Sequence, residues 1–96
     1  MRHRYLVCYD VSNDKRLRMV HKTMLGYGDP MQYSVFCCDL AETERLLMVA
    51  AVLKHMNQRE DRLMIANLGP TKVRGKVAIE WHGKNPGFTE RRVVIV

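Results

Sequence analysis

Ninety-six residues, 47% of them apolar, suffice for one hydrophobic core and exclude both a second independent domain and a disordered chain. Sixteen Lys and Arg against ten Asp and Glu leave a formal charge of +6, which favours phosphate-bearing partners through counterion release. No apolar run reaches signal-peptide or membrane-spanning length, so the expectation is a cytoplasmic protein with no membrane partner.

Two further bounds follow. A chain this short buries only roughly 60–65% of its unfolded surface, so a second copy is a natural supplement to stability. The three cysteines are an odd number, and Cys37 and Cys38 are neighbours. They suit neither a disulfide framework nor a zinc site, and read as buried thiols. Residues 1–96 are therefore taken as a single domain.

The first element is a strand. Tyr5-Leu6-Val7-Cys8-Tyr9 is aromatic and β-branched, and alternation puts Leu6, Cys8 and Asp10 on one face and Tyr5, Val7 and Tyr9 on the other. Ser12 or Asn13 caps a helix, with Asp14 in its first turn where the helix dipole favours a carboxylate. Leu17, Val20, His21 and Met24 recur at helical spacing, and Gly26 and Gly28 supply left-handed conformations that end the helix.

Asp29-Pro30 marks a turn, after which Met31 to Phe36 reads as the second strand. Phe36 to Leu40 either continues it or bends into a third strand. Asp39-Leu40-Ala41-Glu42 resembles a capping box with Asp in place of Ser or Thr. It opens a second helix with Leu46, Leu47, Ala50 and Leu53 inward, ending near Asn57. A charged loop, Gln58 to Asp61, precedes a strand from Arg62 to Leu68.

This order, β-α-β-(β)-α-β, is the split βαβ plan of an α+β, ferredoxin-like fold. Additional strands follow it. Val77 to His82 alternates like a half-buried strand, Gly83 to Gly87 is a loop, and Val93 to Val96 closes the chain with an apolar run. That run either pairs within its own domain or is exchanged onto an exposed sheet edge of another subunit.

Read from residue type alone, Asp10 ends a strand and helps cap the next helix, and Asp14 complements the helix dipole. Lys15, Arg16, Arg18 and Lys22 form either a solvated face or a set of phosphate contacts. His3, His21, His55 and His82 have no metal-ligand spacing, and His21, close to the apolar stripe, reads as a structural histidine. Arg74 to Trp81 is similar in outline to the RNA-recognition octapeptide but lacks the inner aromatics on which bases stack, so it reads as a strand with Trp81 in the core or at an interface.

Three stretches together resemble a known family. They are Tyr5-x-Val7-x-Tyr9-Asp10-Val11-Ser12-Asn13-Asp14-Lys15-Arg16, then Gly26-Tyr27-Gly28, then Gln32-Tyr33-Ser34-Val35-Phe36. In order and spacing they are similar to the small CRISPR-associated endonucleases, over roughly the first two-thirds of the chain. The resemblance implies a homodimer that partners the CRISPR integrase in spacer acquisition and cleaves RNA or double-stranded DNA. It also implies Mg²⁺ or Mn²⁺ held between two Asp10 carboxylates, with Tyr9 and Phe36 at positions implicated in activity. Some members carry Arg where this chain has Leu17, Met19 and Pro30, so those arginine roles have no matching residue here; Arg16 and Arg18 are displaced alternatives. Two other readings stay open: a non-catalytic nucleic-acid-binding scaffold of the same complex, and a toxin-type ribonuclease sharing the fold.

Overall fold

The computed structural model describes residues 1–71, 79–84 and the backbone of Val94–Ile95. Along the chain the elements are β1 (Arg2–Asp10), α1 (Asp14–Met24), β2 (Asp29–Gln32), β3 (Val35–Ala41), α2 (Glu42–Leu53), β4 (Arg62–Pro70), β5 (Glu80–Trp81) and β6 (Val94–Ile95). The first four strands form one sheet in the order β2-β3-β1-β4, with every neighbouring pair antiparallel. Each helix crosses over a strand inserted between the two it connects, which is the split βαβ topology expected of a ferredoxin-like fold.

The core lies between one face of this sheet and the two helices. Tyr5, Val7 and Tyr9 of β1, Phe36, Cys38 and Leu40 of β3, Val20 and Met24 of α1, and Met48 and Val52 of α2 fill it. The alternation read along β1 therefore holds: its odd-numbered residues from Tyr5 to Tyr9 are buried, while Leu6 and Cys8 are half-buried and Asp10 is exposed. Across the sheet, Leu6 and Cys8 stand beside Cys37 and Val35 on one side and Ala66 and Met64 on the other. A second, smaller cluster, Met31 and Cys37 with Val35, Ile79 and Trp81, covers part of this other face. Trp81 thus packs against the sheet, as its strand position suggested.

Helix α1 begins as its sequence dictates. Asn13 adopts extended backbone and its side-chain oxygen accepts from the Arg16 amide at 3.0 Å, with Asp14 in the first turn. The other boundaries depart from expectation. The long second strand is two: Tyr33-Ser34 is a turn, and β2 and β3 form a hairpin around it. Without Gly or Pro at its centre, the turn gives no local signal. The N-cap of α2 is Ala41 rather than Asp39, which belongs to β3; Glu44 reaches back to accept from the Ala41 amide at 2.8 Å, one half of a capping box.

The helix's phase also departs from expectation. Met48 and Val52 point inward, whereas Leu46 and Leu47 are 54% and 62% exposed and Ala50 is also outside. From Leu46 to Leu53 the helix is apolar on every side, so the pattern has no polar face to set against the apolar one. The helix also stops at Leu53, short of Asn57.

Gly26 and Gly28 do not adopt left-handed conformations; among the described glycines positive φ occurs at Gly69 and Gly83. Gly28 is required for space. A Cβ there would sit 2.5 Å from the Cys38 sulfur and 2.6 Å from the Cys37 carbonyl oxygen. The C-terminal β6 pairs in parallel with β5 of the same chain. The expected strand Val77 to His82 is described only from Ile79 onward, and the other expectations for residues 72–78, 85–93 and 96 lie outside the described residues.

Gly28→Ala should destabilise the protein by about 1–3 kcal/mol, the usual range for overpacking against backbone. Gly26→Ala, whose new Cβ meets its nearest neighbour at 3.4 Å, should be close to neutral. Urea midpoints of the two variants measured side by side check this, and equal midpoints would contradict it.

Candidate carboxylate site and basic helix

Asp10 is the last residue of β1, on the face turned away from the helices. Its side chain is exposed and makes no hydrogen bond or ion pair among the described residues. Directly opposite on β4 stands Arg62. Such cross-strand neighbours have Cβ atoms roughly 4.5–5.5 Å apart. Among the described residues no group of three or more His, Cys, Asp and Glu side chains converges. The chain by itself therefore offers a divalent cation a single open carboxylate, whereas an ion such as Mg²⁺ takes one or two carboxylates and keeps several waters.

The pleat separates Tyr9 and Phe36 from that carboxylate. Both lie on the helix-facing side, 5% and 0% exposed. The Tyr9 hydroxyl donates to the Tyr33 carbonyl at 2.9 Å and lies 3.2 Å from His21 Nδ1. His21 Nδ1 is 2.9 Å from the same carbonyl, an acceptor only, so this nitrogen carries the hydrogen. Burial pushes the Tyr9 phenol up to about 12, with Tyr33 reinforcing the shift. A hydroxyl in that state is a donor and not a base at neutral pH. Phe36 stacks beside Tyr9, centroids 6.2 Å apart, and meets the His21 ring edge-on at 5.4 Å. Within the chain, then, Tyr9 and Phe36 hold the strand end and the neighbouring turn in place, and His21 is the structural histidine its position suggested.

The basic residues of α1 divide into two kinds. Arg16 is committed to the fold: its guanidinium donates to Asp61 at 2.9 and 3.1 Å and to Glu60 at 3.1 Å. The Asp61 side chain has no exposed surface and also accepts the amides of Ser12 at 3.1 Å and Asn57 at 2.8 Å. These contacts, the Arg16 hydrogen bond foremost, hold the Asp61 carboxyl well below the usual carboxylate range despite its burial. Lys15, Arg18 and Lys22 are exposed and form no ion pair among the described residues, so they are open to phosphates. Sequence pattern alone misses Arg62, whose place opposite Asp10 follows only from strand register, and Tyr33, whose local pattern is that of a strand interior.

The clamp at Asp61 has a signed pH dependence. Because its folded pKa is depressed, the stability it contributes is complete above the ordinary carboxylate range. That contribution is lost from about pH 5 downward, as protonation of the unfolded chain gives way to protonation of the folded one. Asp61→Asn should lower the urea midpoint at pH 7, and the gap to wild type should narrow steadily between pH 5 and the most acid pH at which the protein still folds. A gap independent of pH would show that the carboxylate's charge plays no part.

Sheet order, exposed carboxylate and basic first helix define the class: a ferredoxin-like α+β domain with an acidic tip on its first strand and a cationic flank. The model of the family described as CRISPR associated protein Cas2 matches residues 1–75. A Geobacter sulfurreducens protein named CRISPR-associated endoribonuclease Cas2 is 42% identical over 79 residues, 81% of this chain and 83% of that protein. A Rhodospirillum rubrum protein of the same name, numbered 1, is 40% identical over 95 residues, 98% of this chain and 91% of its own. The crystal structure of Streptococcus pyogenes Cas2 superposes with a TM-score of 0.64 at 31% identity, covering 69% of this chain and 86% of that one. The chain belongs to the Cas2 family. Among the described residues no helix is long and apolar enough to cross a membrane.

Proposed function

We propose that this chain is an endonuclease of CRISPR spacer acquisition, working in the cytoplasm as a homodimer that also bridges the CRISPR integrase. The observation that carries the catalytic part is the exposed Asp10 carboxylate, free of partners among the described residues, at the end of the central strand. Relatives named endoribonucleases make RNA the first substrate to consider, with double-stranded DNA beside it. The face that carries Asp10 also carries Leu6, Cys8 and the 57% exposed Met64. Stacking two copies through it would cover those side chains and bring two carboxylates face to face.

Two opposed carboxylates repel unless a cation or a proton lies between them, so the pair favours Mg²⁺ or Mn²⁺. When bound, such an ion activates water and steadies the charge on a phosphoryl group. The chain's own residues do the rest. Asp10 from each protomer would hold the ion, Arg62 opposite it on β4 would take a phosphate, and Lys15, Arg18 and Lys22 attract the backbone.

Asp10→Asn preserves size and removes both negative charges from the pair. Folding and dimerisation should survive, and stability without metal should be equal or slightly higher because the repulsion is gone. Cleavage of labelled RNA and of duplex DNA in Mg²⁺ should fall by orders of magnitude while binding persists. If the variant cleaves as fast as wild type in the same buffer, the site is wrong.

The second reading, a non-catalytic scaffold, draws on the burial of Tyr9 and Phe36 and the engagement of Arg16, which leave Asp10 and Arg62 as the polar groups at the strand end. Under that reading wild type and Asp10→Asn both bind and neither cleaves. Either way the basic helix should bind electrostatically. Each of Arg18→Gln and Lys22→Gln should reduce the slope of log affinity against log salt by about 0.9 for duplex DNA, the value per phosphate neutralised. Arg16→Gln should chiefly lower stability. Salt titrations with a parallel urea melt separate the two effects.

A further inference from the structure

We propose that Tyr33, backed by His21, is a stacking platform for one unpaired base of a single-stranded nucleic acid, with Arg18 and Lys22 taking the adjoining phosphates. The inference deepens the nucleic-acid reading above and rests on it. Tyr33 is 53% exposed, yet its position is fixed at three points. Its carbonyl accepts from the Tyr9 hydroxyl and from His21 Nδ1, both at 2.9 Å. Its ring lies on the His21 imidazole with centroids 4.4 Å apart and planes 11° from parallel. His21 in turn is braced by the edge-on contact with buried Phe36.

An aromatic ring held flat by a second ring, with half its surface open, presents a π-face whose ordering has already been achieved in the free protein. The faces of nucleobases match it, and such stacking tolerates any base. The surrounding charge selects the ligand class. Arg18 is one helical turn from His21 on the same side of α1 and Lys22 is its neighbour; both are exposed. In a duplex each base is already stacked on both faces, so the platform suits an unpaired base at a loop, bulge or strand end. It also stands at the right end of the sheet. The Tyr9 amide donates to the Ser34 carbonyl at 3.1 Å, and Asp10 is the next residue. The platform thus lies at the same end of the sheet as the exposed carboxylate, on the helix side of it.

The test is fluorescence anisotropy with a single strand and a duplex of equal length, at one salt concentration, for wild type, Tyr33→Ala and Tyr33→Phe. Alanine leaves the carbonyl in place, so the turn keeps its hydrogen bonds. Single-strand affinity should fall roughly 5- to 160-fold in Tyr33→Ala, the range for losing one stacked base. Phenylalanine should restore it, and duplex affinity should not change. An unchanged single-strand affinity, or an equal loss on both ligands, would overturn the platform. Failure of wild type to bind either ligand would instead remove the nucleic-acid reading beneath it. As a check that needs no variant, a single strand with one 5-iodouracil should photocross-link wild type to the peptide containing Tyr33. Cross-links found only elsewhere would count against the proposal.

Discussion

A strand hydrogen-bonded on both sides has no freedom to turn over, and β1 is bound by β3 along one edge and β4 along the other. Its two-residue period therefore divides the molecule. The tyrosines and Val7 must face the helices, and Leu6, Cys8 and Asp10 must face away. A slip of one residue would bury the carboxylate among Phe36, Met48 and Val52 and expose two tyrosines, a change that no local adjustment could repair. The placement of Asp10 is thus a consequence of core packing rather than a local decoration. The same constraint explains why Tyr9, its immediate neighbour, belongs to a different environment with a different task.

Around that strand the polar contacts are few and long-range, and they tie together parts distant in sequence. Arg16 and Asp61 join the start of α1 to the approach of β4, across the two halves of the split motif. Arg2 does the same at the other end of β1, pairing with Asp39 at 3.1 Å and Glu44 at 2.8 Å. The Arg2 pairs are exposed and contribute little to stability by themselves. Arg16 differs, because its partner is enclosed and accepts two backbone amides as well, so neither group is left unsatisfied. A helix rich in positive charge is thereby docked by one of its cations while three others remain outward.

What could be read from the sequence follows from the range of the interaction involved. β1 and α1 are legible because their signals are local: alternation around Val7, an Asn13 cap, an acidic first turn, and Val20 with Met24 four residues apart. The phase of α2 is not, because a helix apolar on all sides owes its orientation to what the sheet and α1 leave uncovered. The Tyr33-Ser34 turn is dictated by contacts from Tyr9 and His21, residues 24 and 12 positions away from Tyr33. Asp10 was visible as a candidate through its resemblance to a family motif, while its neighbour Arg62 depends on a register between strands 52 positions apart in the chain. Gly28 looks locally like a conformational device, whereas its necessity is the close passage of β3 behind it.

The way the Tyr33 turn is anchored has a bearing on how such a protein changes over generations. Its hydrogen bonds are made by the main-chain carbonyl, which every amino acid possesses, and the side chain lies half in solvent. At position 33 the side chain's share in the fold is its stacking on His21, while the hydrogen bonds belong to the main chain. Substitutions there alter what the surface offers to a ligand without disturbing the hydrogen bonds beneath it, in contrast to Tyr9 or Gly28, where any drift is first a loss of stability. Within one scaffold this leaves a position whose side chain can be exchanged to alter what a ligand meets while the residues that hold the architecture stay as they are.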